Sequence, residues 1–400
     1  VHAILTADDV PGENLFGLEH PDQPVLAFDM VRYVGEPVAI VAANHPEVAK
    51  KAIDAIYVDY EQLDPLVNSR EAIEAAPIHP DGNVIRHLVI KHGDPDAVGD
   101  ITVEGEYEVG MQDQAFLGTE SGIAFPSADG GVDLHISTQW LHSDRDQVAS
   151  ALNLPEDLVR VTLAGVGGAF GGREDVSMHV HLCMLALHTG RPVKMVYDRN
   201  ESFLGHVHRH PAKIWFRHSA DDSGVLVKVE AKVILDGGAY ASTTSAVLAN
   251  ACCFSVGPYR VPNALIEGWG VRTNNPPCGA MRGFGNVQTC FAAEAQMDKL
   301  AKALSLDPVE FRLLNALETG DILITGQEIT GTAPVKEVLT SLAEYPLPEP
   351  TKGGLLDLPG GTGRTTDKSH VKRGVGYAAS IKNLMFSEGF DDFSEARCIV

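Results

Sequence analysis

The stretch Gly165-Val166-Gly167-Gly168-Ala169-Phe170-Gly171-Gly172-Arg173-Glu174 constrains this 400-residue chain more than any other, because it places five glycines in eight residues. Such a run reaches backbone conformations closed to other residues and lets main-chain amides approach a ligand closely. Upstream, residues 158–163 alternate in the manner of a half-buried strand, and downstream residues 176–188 carry apolar side chains at helical spacing. A strand, a glycine loop and a helix N-terminus together make an anion cradle, since unpaired amides point outward at the positive end of the helix dipole. The other reading of the same residues is a turn that only lets a strand and a helix pack closely.

Neither common nucleotide loop fits. Counted from Gly165 and Gly167, Phe170 stands where Gly-x-Gly-x-x-Gly needs its third glycine. Gly167 and Gly172 have the spacing of a phosphate loop, but Arg173-Glu174 replaces the lysine and the Ser or Thr that follows it. The cradle therefore suits something other than NAD or ATP. No Gly-x-Ser-x-Gly elbow occurs either, so a hydrolase triad has no anchor.

A net charge of -23 argues against nucleic acid or an anionic membrane as partner, because both repel it. No apolar run reaches the roughly 18 residues of a membrane span, and no basic segment with an apolar core opens the chain, so a cytoplasmic protein is expected. The six cysteines, at 183, 252, 253, 278, 290 and 398, include no Cys-x-x-Cys pair and read as reduced, mostly buried thiols. The chain opens at Val1 in strand-like sequence and stops at Val400 in what reads as mid-strand, which predicts a fragment lacking both termini.

The patterning predicts an α+β fold of mixed sheets with packed helices. Residues 1–75 read as one compact unit, with a buried strand at 38–43, a helix from His45 to Asp54 and a second strand at 56–60. Residues 76–99 read as a connector. Residues 100–330 carry strands at 102–109, 122–125, 132–139 and 192–197, and a hairpin of 214–218 with 225–235 around Asp221-Asp222-Ser223-Gly224. A helix over 287–304 turns Phe291, Met297, Leu300 and Leu304 inward, and Asp307-Pro308 caps another. Residues 331–370 read as a linker, and 371–400 open a further domain with a strand at 374–381. His206, His208 and His210 share one face of an extended segment; with no carboxylate in the pattern they read as structural or solvated instead of metal-binding.

A second informative loop runs Asn274-Asn275-Pro276-Pro277-Cys278-Gly279-Ala280-Met281-Arg282-Gly283-Phe284-Gly285-Asn286. Its prolines and glycines make an irregular but conformationally fixed segment that delivers one guanidinium and one ring. Phe284 could stack on a flat, electron-poor ligand and Arg282 pair with its oxygen. A surface turn with an incidental arginine is the alternative.

Ser137-Thr138-Gln139, the glycine loop, Thr189-Gly190-Arg191-Pro192-Val193 and Ala280-Met281-Arg282-Gly283-Phe284-Gly285, in this order and spacing, resemble the molybdenum subunit of the xanthine dehydrogenase and aldehyde oxidase family, closest to its bacterial xanthine dehydrogenases. Ile4-Leu5-Thr6-Ala7-Asp8-Asp9-Val10-Pro11-Gly12 resembles that family's hammerhead domain. The resemblance implies a hammerhead remainder over 1–75, a first molybdenum-cofactor-binding domain over 100–330 and the start of a second over 371–400. It implies molybdopterin, plain or as the cytosine dinucleotide, near Gln139, Gly168, Ala169, Phe170, Gly171 and Arg282. The amides around Phe170 and Gly171 would hold the oxygen ligand of a molybdenum carried by the pterin, with no side chain ligating the metal.

The implied chemistry is oxidative hydroxylation of an electron-poor carbon, with Glu174 and Arg282 catalytic and Glu174, Arg282 and Phe284 binding substrate. FAD and 2Fe-2S centres would sit on partner chains, an FAD-binding subunit and a 2Fe-2S subunit in a hetero-oligomer. The family's general base, a glutamate, would lie beyond residue 400, leaving this stretch inactive alone. Glu174, four residues after Phe170, implies a purine such as xanthine or hypoxanthine, and Gly283 stands where copper-dependent relatives carry a cysteine. Two departures accompany these matches: residues 246–253 lack the second arginine of purine enzymes, and Ala169 replaces a glycine. An aldehyde or other N-heterocycle hydroxylase, and a non-catalytic nucleotide-binding or scaffold subunit, are the competing readings.

Overall fold

The computed structural model describes residues 1–347, 374–383 and 398. In chain order they form β1 (Ala3–Leu5), β2 (Ile40–Ala42), α1 (Pro46–Ile53), α2 (Ser69–Ala72), β3 (Val84–His92), β4 (Ile101–Val109), β5 (Ser121–Pro126), β6 (Val132–Ile136), α3 (Leu141–Leu152), β7 (Val159–Leu163) and α4 (His179–Thr189). There follow β8 (Val193–Val196), α5 (Arg199–Gly205), β9 (Ala212–Ala220), β10 (Leu226–Asp236), α6 (Thr244–Cys253), β11 (Asn263–Val271), α7 (Asn286–Leu304), α8 (Pro308–Asn315) and α9 (Val335–Ala343). None of these helices is long and apolar enough to cross a membrane.

Two sheets organise the chain, and the α+β expectation holds. One has the order β3-β11-β10-β9-β4, antiparallel except for the parallel pair β10/β11. The other runs β7-β6-β5-β8 with β6/β7 parallel. Helices α6, α7 and α8 bury Leu248, Met297, Leu300 and Phe311 against the first sheet, beside Phe216 and Val233. The second sheet shares its core with α3, α4 and the N-terminal strands, since Leu5 and Ile40 pack with Leu134, Val148 and Leu182. The β9/β10 hairpin turns around Asp221 as the sequence predicts, and Asp307 caps α8 by accepting from Val309 N at 2.8 Å and Glu310 N at 3.1 Å.

Several expectations are corrected. The connector at 76–99 contains β3, which pairs with β11 and turns Leu88 and Ile90 to the core; its flanking Pro, Asn and Gly masked this alternation. No strand forms at 56–60, where Tyr57 and Tyr60 are 86% and 58% exposed and no neighbouring strand offers a ladder. The helix expected from residue 176 starts at His179. Helix α9 lies within the predicted linker, held by buried Leu339. The rest of that linker from 348, and the opening of the further domain apart from 374–383 and 398, fall outside the described residues; 374–383 run without strand pairing. Phe291 is 55% exposed on α7, its ring edge-on to Tyr107 at 5.8 Å.

The segment between β7 and α4 and the segment between β11 and α7 come from different sheets and meet each other. Helix α7 can start there because Gly285 takes φ +93°, where a Cβ would fall 2.2 Å from the Val247 carbonyl oxygen.

Candidate functional site

The glycine segment is held open by a side chain and by its own unusual backbone. Gly167, Gly168 and Gly171 lie at φ +61°, +104° and +101°, and Phe170 joins them at +53°, a conformation uncommon for a bulky residue. Gln139 sits three residues beyond β6, and its Oε1 accepts from Gly171 N at 3.1 Å and Arg173 N at 3.3 Å. The amides of Gly168, Ala169 and Phe170 donate to no described residue, and neither does the Gln139 side-chain NH2. Four donors therefore remain for an external acceptor.

This changes the expected cradle in two respects. The Gly171 amide is taken by Gln139, so the free amides are those of 168–170. With α4 starting at His179, the positive field comes from those amides and not from the helix end.

Arg173, which the sequence offered only as a failed phosphate-loop lysine, braces the loop from below. It lies over the Phe116 ring at 4.4 Å and donates to the carbonyls of Gly168 at 3.1 Å, Gly118 and Thr119. The second loop is joined through the main chain: Arg282 N donates to Phe170 O at 2.8 Å, and Phe284 lies at φ +47°. Buried Arg209 donates to Arg282 O at 2.8 Å, and Gln114 donates to Ala280 O at 2.7 Å. The Arg282 guanidinium itself is exposed and makes no hydrogen bond or ion pair with a described residue. Gly283 lies at φ +97°, a conformation that residues with a side chain rarely adopt, and a Cβ there would also have to displace the Val287 side chain.

Glu174 lies one turn past the cradle, its N–H donating to Gly171 O at 3.2 Å. Its Oε2 is closed off from water without a hydrogen-bond partner, and burial, reinforced by the Asp175 charge, pushes the carboxyl up to about 8. At neutral pH it is largely the neutral acid. Asp175, also raised by burial to about 6, accepts from Ser242 Oγ at 2.8 Å.

The three histidines are internal supports. His206 places Nε2 3.3 Å from Asp113 and Nδ1 3.2 Å from Glu120, and stacks on His208 at 5.4 Å; Nε2 of His210 is 2.8 Å from Thr244 Oγ1. The carboxylates missing from the local pattern come from the segment before β5. Burial opposes charge on His206, but these two acids outweigh it and raise the imidazole to about 9. Among the described residues no three His, Cys, Asp or Glu side chains are grouped to hold a metal ion.

The donor set fits an oxygen-rich anionic group carried by its own ligands: three free amides and a free guanidinium lie on two loops joined at Phe170 and Arg282, and the primary amide of Gln139 comes from the segment after β6, held to the first loop through Gly171 N and Arg173 N. A family model for the molybdopterin cofactor-binding domain matches residues 78–316, and one for the aldehyde oxidase and xanthine dehydrogenase a/b hammerhead domain matches 1–64. The chain is 38% identical over 368 residues to a probable xanthine dehydrogenase subunit of Bacillus subtilis, covering 91% of this chain and 49% of that one. It is 38% identical over 349 residues to the nicotinate dehydrogenase large molybdopterin subunit of Eubacterium barkeri, covering 86% and 82% respectively. The solved aldehyde oxidoreductase of Desulfovibrio gigas superposes with a TM-score of 0.82 at 28% identity, over 86% of this chain and 40% of that one. The chain thus spans about half the length of the Bacillus subtilis protein.

Proposed function

The chain belongs to the molybdopterin-binding xanthine dehydrogenase and aldehyde oxidase family, and from that premise we propose that it binds a purine such as xanthine or hypoxanthine for oxidative hydroxylation. The observation that carries this reading is Glu174, a shielded carboxyl with an unpartnered Oε2 beside the cradle, held neutral to about pH 8. A neutral carboxyl both donates and accepts, which matches the adjacent N–H and oxo groups of an oxidised purine. Phe284 would supply a stacking face and Arg282 an unpaired cation for a ring oxygen.

The free amides of Gly168, Ala169 and Phe170 and the NH2 of Gln139 would hold the oxygens of the molybdopterin-bound metal. That cofactor supplies, when bound, two-electron oxidation with a water-derived oxygen. FAD and 2Fe-2S centres on partner chains, which would take the electrons onward, belong to the same proposal; relatives that are themselves named as subunits, one of them as a large molybdopterin subunit, support that division.

A second reading, another N-heterocycle such as a pyridine carboxylate, is favoured by one observation: α6 contains no arginine where the resemblance implies the second arginine of purine enzymes. Turnover of xanthine, hypoxanthine and benzaldehyde by the complete complex tests the purine reading. Wild type should prefer the purines, and Glu174→Ala should lose roughly 10²-fold in kcat/KM on them with little change on the aldehyde. Undiminished xanthine oxidation by the variant, or preference for the aldehyde in wild type, overturns it.

A further inference from the structure

Residues 374–383 bring a further cation to the same site. They dock on the first turns of α7, where Asn286 Nδ2 donates to Ile381 O, Ser380 Oγ donates to Asn286 Oδ1 at 3.1 Å, and the Cys290 thiol points at Ala379 O at 3.7 Å. This anchorage sets Lys382 Nζ 5.9 Å from the centroid of the Phe284 ring and within electrostatic reach of Glu174. Its only hydrogen bonds among the described residues are to the adjacent Asn383, at 3.0 and 3.3 Å.

We infer that Lys382 is a substrate-orienting residue: its ammonium pairs with a negative charge on the planar heterocycle stacked at Phe284, so that the site takes anionic heterocycles in preference to their neutral isosteres. The inference rests on the reading of this site as an N-heterocycle hydroxylase and names the substrate class more narrowly. A ring packed on Phe284 has its centroid about 4.5–7 Å from that of the phenyl, and the ammonium stands 5.9 Å from the same point, so it is a negative substituent at the edge of the ring that meets the ammonium. The chain carries a net charge of -23, so an anion reaches this site only where cations offset the field. Arg282 and Lys382 do so from two different segments. Glu174, the acid whose charge reaches the ammonium among the described residues, is neutral below about pH 8 and leaves it free, while Asp175 is engaged by Ser242.

The negative charge could be a ring carboxylate or an ionised oxo-purine, and the test separates them. The complete cofactor-loaded complex is assayed as wild type, Lys382→Met and Lys382→Arg with pyridine-3-carboxylate against pyridine-3-carboxamide. The second arm uses xanthine against hypoxanthine, above the first ionisation of xanthine. Lys382→Met should lower kcat/KM for the anion of one pair roughly tenfold or more, chiefly through KM, with less than about threefold change for its neutral partner. Lys382→Arg should recover most of the loss, and the responding pair identifies the charge.

Calorimetric binding of the same anion to cofactor-free protein should show the same dependence on residue 382. Equal losses for anion and neutral partner, no loss in either pair, or no anion binding to wild type overturns the inference. If wild type binds the anion through Lys382 yet oxidises no heterocycle, the hydroxylase reading fails and the inference about Lys382 stands.

Discussion

The main-chain N–H of Arg282 donates to the carbonyl of Phe170 at 2.8 Å, and this one bond makes a single unit of two loops that belong to different sheets. On either side of it, Phe170 at φ +53° and Phe284 at +47° are held in a region that costs a bulky residue of order 1–3 kcal/mol. Backbone held in such a state needs support from around it. Arg173 beneath the first loop, and Arg209 and Gln114 beneath the second, provide it through carbonyl contacts.

Gly171→Ala should break this junction. The residue sits at φ +101°, and a Cβ there would stand 2.7 Å from the Ala280 carbonyl oxygen, which is backbone and cannot swing aside. Stability should fall by about 1–3 kcal/mol, and molybdenum per chain should drop with it. Denaturant unfolding together with metal analysis of the purified complex checks both; a fully loaded variant of unchanged stability contradicts the junction.

Gln139→Ala separates holding from folding. The substitution removes the acceptor shared by Gly171 N and Arg173 N, two donors at 3.1 and 3.3 Å that water can partly re-solvate at this exposed site. The expected stability cost is about 1 kcal/mol, while molybdenum retention during dialysis should fall severalfold because a free donor is lost as well.

Where the chain alternates or carries a local cap, its sequence was enough: the β9/β10 hairpin, α7 and the Asp307 cap are all visible as short-range patterns. Helix α6 was not, because eight of its ten residues are buried and a helix apolar on all faces has no periodicity to detect. The two glycine-rich loops stood out by composition. What holds them did not: Arg173 on Phe116, Arg209 under Arg282 and Lys382 beside Phe284 are pairings between distant segments, and no local spacing marks them. The same holds for Asp113 and Glu120, which supply His206 with the carboxylates its own neighbourhood lacks.

That buried cluster predicts a pH-dependent stability. His206 is raised from 6.5 to about 9 because Asp113 and Glu120 favour its charged form. A raised folded-state value contributes stability that is fully present below 6.5 and is lost as pH rises through about 9. His206→Gln takes the cation from between Asp113 at its Nε2 and Glu120 at its Nδ1 and should cost about 3 kcal/mol near pH 6. The gap to wild type should narrow progressively above neutrality; unfolding free energies across that range that stay parallel would count against the ion cluster.

Glu174 gives the last prediction, on stability and on binding together. Its folded value of about 8 lies above the ordinary 4.5, so the folded state holds its proton more tightly than the unfolded chain does. The associated stability is therefore complete below about 4.5 and lost as pH climbs through about 8, the same direction as for His206 but for the opposite reason, desolvation of an anion. Glu174→Gln cannot ionise and should be less sensitive than wild type over this window, overtaking it in stability above pH 8. A slope near pH 6 should persist from Asp175, which keeps its own raised value. Because glutamine still donates and accepts, binding of pyridine-3-carboxamide, which does not itself titrate in this range, should stay level across about pH 7–9 in the variant, whereas wild-type binding should weaken as the carboxyl ionises. Calorimetric titration at three pH values reads both curves, and a wild-type affinity that rises through pH 8 would show that the ionised carboxylate, not the neutral acid, meets the ligand.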